Sequence, residues 1–147
     1  MRPPVLALAL FMASPALAQE AARPPAPAAV VEAQSAQPLV GQWRVDLTSS
    51  PREGVTGRYY TDFVVTSVDD NRIEGTFYGS PIEQGRINRS WGGVRFAFVT
   101  HDGGGGTYNH SGELVDGRLI RGLSQALDRD FLSVWTAVPG TIDVTSW

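Results

Sequence analysis

The 147-residue chain has no cysteine, and each of its twelve basic residues is an arginine, so lysine is missing as well. Without cysteine there is no thiolate nucleophile, no disulfide and no sulfur-ligated zinc or iron–sulfur cluster. Without lysine there is no Schiff-base amine and no Walker-type phosphate lysine. Positive charge is also in deficit, with 12 basic against 15 acidic residues and a net charge of −3. That balance argues against a nucleic-acid partner, which needs a basic face. From Val40 onward no stretch longer than a turn shows helical periodicity, and one domain is expected at this length.

The first 18 residues read as a secretory signal peptide. Arg2 supplies the positive end, Val5 to Met12 the short apolar stretch, and Ala16-Leu17-Ala18 the small-x-small pattern before cleavage at Gln19. The apolar stretch is too short to span a bilayer, which takes about 20 residues, so no membrane span is expected in the mature chain. Residues 19–38 are rich in alanine and proline and hold no aromatic residue. Such a stretch cannot bury enough apolar area to offset its chain entropy, and it reads as a disordered linker. A folded domain is expected over 39–139, followed by a short tail, 140–147.

Within that domain the pattern is one of short alternating segments broken by turn residues. It predicts eight strands, over 40–47, 58–68, 72–78, 82–90, 94–100, 107–115, 118–124 and 131–138. Asp116-Gly117 between two apolar runs is a type I′ hairpin signal. Eight consecutive strands with short connections imply an all-β fold, an eight-stranded antiparallel up-and-down barrel. A β-sandwich is the alternative, but closure into a barrel removes the exposed edges that invite aggregation. Parity places Tyr59, Phe63 and Val65, Ile73 and Phe77, Val94, Phe96 and Phe98, and Tyr108, His110 and Leu114 on the inner face. The facing of 82–90, 118–124 and 131–138 is ambiguous by the same test.

The opening Gly41-Gln42-Trp43 is a G-x-W that resembles the start of calycin barrels, the lipocalin and avidin group. Asp46-Leu47-x-Ser49, then Asp62-Phe63-Val64-Val65 and Ile73 to Tyr78, resemble the first three avidin strands. The resemblance implies a small barrel with a ligand site inside, Ser49 being the one polar contact that carries over by position. It does not extend to biotin: Val45 stands where that family places its ureido-binding asparagine, and the central strands lack its tryptophans.

Catalytic motifs are scarce. No Gly-x-Ser-x-Gly elbow is present. The run Gly103–Gly106 precedes a strand rather than a helix, so it reads as a mobile hairpin tip and not a phosphate cradle. Of the strand carboxylates, Asp62, Glu74 and Glu113 fall on the outer face by parity, away from any shared cleft with Glu83. If Thr100 pairs with Thr107, His110 lies opposite Ala97 and about 10 Å from His101. That separation is too long for two metal bonds of about 2 Å, so no metal site is expected; no cofactor is expected either. Arg86, Arg89, Arg118 and Arg121 could form an anion patch, or be solvated and pair with Glu83 or Asp116. Trp43 and Trp135, from the first and last strands, are expected to pack as a pair plugging one end. Trp91 sits in a turn, where an exposed aromatic can anchor a sugar or a protein.

The expectation is therefore a periplasmic or secreted, non-enzymatic barrel that binds a small, mostly apolar ligand. The ligand would lie against Tyr59, Phe77, Phe96 and Trp135 and be oriented by Tyr108 and His110. The alternative is a module of the cell envelope that binds or inhibits a protein partner through its loops. An isomerase or cyclase working inside the barrel is a third.

Overall fold

The computed structural model describes residues 33–48 and 57–141. The expected export signal, Ser49 and parts of the expected linker and tail lie outside the described residues. A short 3-10 helix, Gln37–Leu39, leads into nine strands. They are β1 Gly41–Asp46, β2 Tyr60–Asp69, β3 Arg72–Phe77, β4 Ser80–Pro81, β5 Glu83–Asn88, β6 Val94–His101, β7 Thr107–Val115, β8 Leu119–Ala126 and β9 Leu132–Pro139. All belong to one antiparallel sheet in the order β4-β3-β2-β1-β9-β8-β7-β6-β5, which curls into a nearly closed barrel.

Nine strands stand where eight were expected, because the fourth is split. Ser80 and Pro81, read from the sequence as part of a turn, form β4 against β3, whereas β5 pairs with β6. Pro81 has no N–H with which to continue a ladder. Gln84 has a positive φ of 51°, and the β5–β6 register shifts between Glu83 and Arg86. The chain thus changes partner midway, and this is where the barrel seam falls. The seam is bridged by backbone: Ile87 N–H donates to Asn71 O at 2.7 Å and Ile82 N–H to Gly75 O at 2.9 Å. Gly85 sits so close to β3 that a Cβ there would lie 2.1 Å from Ile73 O.

Three hairpin turns place positive φ at both central residues, as type I′ geometry requires. They are Asp116-Gly117 (50° and 68°), Trp91-Gly92 (61° and 70°) and Tyr78-Gly79 (55° and 77°). The β6–β7 hairpin is one residue tighter than expected: His101 pairs with Thr107 and His110 with Phe98, not Ala97. Its tip is also tied down. Asp102 Oδ1 accepts the N–H groups of Gly104 (2.9 Å) and Gly106 (2.7 Å), so one carboxylate organises the glycine run.

One end of the barrel is closed by its own side chains. Leu39 in the 3-10 helix is fully buried, and the Trp43 indole N–H donates to its carbonyl at 2.8 Å. Val45, Val65, Ile87, Val94 and Ile120 belong to the same core, which also takes in Ala36, ahead of the expected domain start. Trp43 and Trp135 do not form the expected pair. Trp43 is in register with Pro139, four residues beyond Trp135 along β9. The barrel tilt separates two strand neighbours into different layers.

Mid-barrel, the ladder aligns Phe96, Gly112, Gly122 and Trp135 in one row across β6 to β9. The two glycines make room for the rings on either side: a Cβ would lie 2.5 Å from Phe96 at Gly112 and 2.2 Å from Trp135 at Gly122. This resolves two of the three segments whose facing was ambiguous, 118–124 and 131–138. Gly122, Ser124, Ser133, Trp135 and Ala137 face in, while Leu123, Leu132 and Val134 are exposed.

Candidate functional site

Among the described residues the other end of the barrel is open. A cavity of about 1050 Å³ enters between the ends of β1, β3, β6 and β8 and the starts of β2, β7 and β9. Its floor is formed by Phe77, Thr100, His110, Ser124 and Ser133, all buried. Leu47, Tyr59, Tyr78, Tyr108 and Phe131 form the wall, and Asp102, Arg129 and Asp130 stand at the mouth. The volume matches the upper range of small-molecule sites, about 300–1,000 Å³.

Of the six expected ligand-site residues, Tyr59, Phe77, Tyr108 and His110 line the cavity. Phe96 and Trp135 do not; both are buried in the packed layer of the core. There Phe63 joins them, with ring centroids 5.6 Å from Phe96 and 6.4 Å from Trp135. The aromatic interior is thus divided, half spent on packing and half facing the opening.

His110 is held from all sides. Its ring lies 4.5 Å from that of Phe77 and 4.9 Å from that of Phe98. Nε2 is 2.9 Å from Thr100 Oγ1, and Nδ1 is 2.7 Å from Ser124 Oγ. The Trp135 indole N–H donates to the same Ser124 oxygen at 2.9 Å. Burial among these rings penalises the charged imidazolium and pushes the His110 pKa down from 6.5 to about 4. The floor therefore carries hydroxyls and a neutral imidazole, with no net charge at neutral pH.

Tyr108 is committed to the mouth. Its hydroxyl donates to Asp102 Oδ2 at 3.0 Å, and the Arg129 guanidinium lies 5.0 Å from its ring centroid. Arg129 also approaches Asp102 Oδ2 at 3.5 Å, linking the β6–β7 loop to the β8–β9 loop. Phe131 meets the same ring edge-on, 6.1 Å away.

Thr100 and Ser124 were not singled out from the sequence. Thr100 continues the 94, 96, 98 parity of β6 and was legible by that extension. Ser124 was not, because the apolar residues of β8 are divided between its two faces. The remaining candidates lie elsewhere. Glu74 accepts a hydrogen bond from Ser67, Glu113 pairs with Arg95 at 3.1 Å, and Glu83 lies 3.5 Å from His101. Arg86, Arg118 and Arg121 are exposed and do not line the cavity. Among the described residues, no three of His, Asp and Glu cluster as metal ligands would. None of their helices is long and apolar enough to cross a membrane. No family model, no curated protein and no solved structure matches the chain.

Proposed function

We propose that this protein is an exported barrel, periplasmic or secreted, that binds a small and mostly apolar molecule without transforming it. The observation that carries this reading is the open cavity, walled by Leu47 and aromatic rings, above an uncharged polar floor. Apolar walls with a few placed polar groups are the usual make-up of a small-molecule site. A kinship with calycin barrels rests on the G-x-W opening and the meander, and export on the leader-like first 18 residues.

Trp135 lies directly under the floor, bonded to Ser124, so its fluorescence should report occupancy. Titration with a panel of apolar probes should give saturable quenching, and native mass spectrometry of protein from its own host should show a co-purifying mass. A bare mass together with unquenched fluorescence across the panel refutes the reading.

A second reading, a partner-binding module, is favoured by Trp91. It is 89 % exposed and held at a positive φ that a bulky residue rarely adopts, at the closed end of the barrel. Trp91→Ala separates the two: it should leave small-molecule binding intact and, on the second reading alone, abolish association with an envelope protein.

A further inference from the structure

The reading of the cavity as a ligand site leaves open what kind of molecule the floor accepts, and the hydrogen-bond arithmetic there narrows it. Neither Tyr108 nor His110 has a hydrogen to spare. The Tyr108 hydroxyl donates to Asp102, and both His110 nitrogens are engaged by hydroxyls. Trp135 N–H can only donate, so Ser124 Oγ always accepts from it.

Two arrangements satisfy these contacts. If His110 carries its proton on Nε2, it donates to Thr100, Ser124 donates to Nδ1, and the Thr100 hydroxyl hydrogen is left over. If the proton is on Nδ1, it donates to Ser124, Thr100 donates to Nε2, and the Ser124 hydrogen is left over. The indole, the imidazole and the two hydroxyls bring four hydrogens to three contacts, so among the described residues one hydroxyl donor is left over in either case. Both hydroxyl residues border the cavity.

Resting on the ligand-site reading above, we propose that the occupant is a neutral, largely apolar molecule with one hydrogen-bond acceptor, a carbonyl or ether oxygen, at its buried end. Thr100 and Ser124 determine this specificity, and the His110 tautomer adjusts to whichever hydroxyl the acceptor meets. A hydrocarbon covering the floor would strand the leftover donor, buried and without a partner. Among the described residues a carboxylate would meet no cation at the floor, since Asp102, Arg129 and Asp130 are at the mouth. Burying an unpaired anion costs more than burying an unpaired hydroxyl.

The test is calorimetric titration of the full chain at pH 7.5 with three probes of one shape: 2-methylnaphthalene, 2-naphthaldehyde and 2-naphthoate. The aldehyde should bind about ten-fold or more tightly than either of the others. The double variant Thr100→Val/Ser124→Ala should lose the aldehyde preference while keeping its affinity for the hydrocarbon, and Thr100→Ser should retain the preference. In ¹⁵N spectra of the His110 ring, the aldehyde should shift the tautomer balance and the hydrocarbon should not. Equal binding of hydrocarbon and aldehyde overturns this inference but leaves the ligand-site reading standing, as does naphthoate binding on a par with the aldehyde. Should the double variant fail to fold, the probe comparison in the unaltered protein and the Thr100→Ser result still decide. Binding of none of the three overturns the ligand-site reading and this inference with it.

Discussion

His110 shows how one buried residue sets both the chemistry of the floor and the acid tolerance of the fold. In the unfolded chain it takes up a proton near pH 6.5; in the folded protein, packed between Phe77 and Phe98, it does so only near 4. Between those values the unfolded state binds more protons, so stability falls as pH drops through the window and levels off below it. The full loss is about 3 kcal/mol, with roughly 1 kcal/mol already gone by pH 5.5. Urea unfolding at pH 7.5, 6.5 and 5.5 should show this decline. His110→Gln, which has nothing to titrate there, should flatten it; an unchanged slope in the variant would assign the pH dependence to other groups.

At the scale of elements, the four-strand row Phe96–Gly112–Gly122–Trp135 explains how a small barrel holds two large rings in one layer. Each ring lies over the bare backbone of its neighbour. Gly122→Ala should therefore cost about 1–3 kcal/mol through overpacking, measured by chemical denaturation. Gly103→Ala, with nothing within 4 Å of the added methyl, should change little. The β6–β7 loop depends on Asp102 in a similar way. Its carboxylate takes two backbone N–H groups and the Tyr108 hydroxyl and faces Arg129. Asp102→Ala should leave global stability within about 1 kcal/mol, because the Asp102 side chain is 42 % exposed and its ion pair with Arg129 is a surface one. It should nonetheless raise hydrogen exchange at Gly104 and Gly106 and weaken ligand binding by loosening the wall at Tyr108.

For the whole molecule, the decisive feature is that the barrel, over the described residues, is plugged at one end and open at the other. The plug comes from the segment ahead of the first strand: Leu39 is fully buried and its carbonyl holds the Trp43 indole. Leu39→Ala should cost about 2–5 kcal/mol, read as a lower urea midpoint. Because the cavity opens at the opposite end, ligand affinity under native conditions should not change. A loss of affinity matching the loss of stability would show that the two ends are coupled.

The meander, the turns at Asp116-Gly117 and 69–71, and the inward rings of β2, β3, β6 and β7 were legible in the sequence, because alternation and turn chemistry act within a few residues of chain. The facing of β8 and β9 was not. Their inner sides carry glycine, serine and alanine because Trp135 fills the space, and their leucines face outward, so a count of apolar residues points both ways. The split of the fourth strand was hidden for a related reason, since Pro81 and Gln84 change partner only in the presence of β3 and β6. What the sequence by itself determined is that this chain, lacking disulfides, builds an all-β domain on aromatic packing and carries arginine as its only strong cation. Only the tertiary structure decided which rings pack and which line a cavity, and that Thr100, Ser124 and Ser133 join His110 in the floor while Tyr108 stands in the wall. Those outcomes depend on register between strands distant in the chain, and register is set by how rings and glycines fit across the barrel.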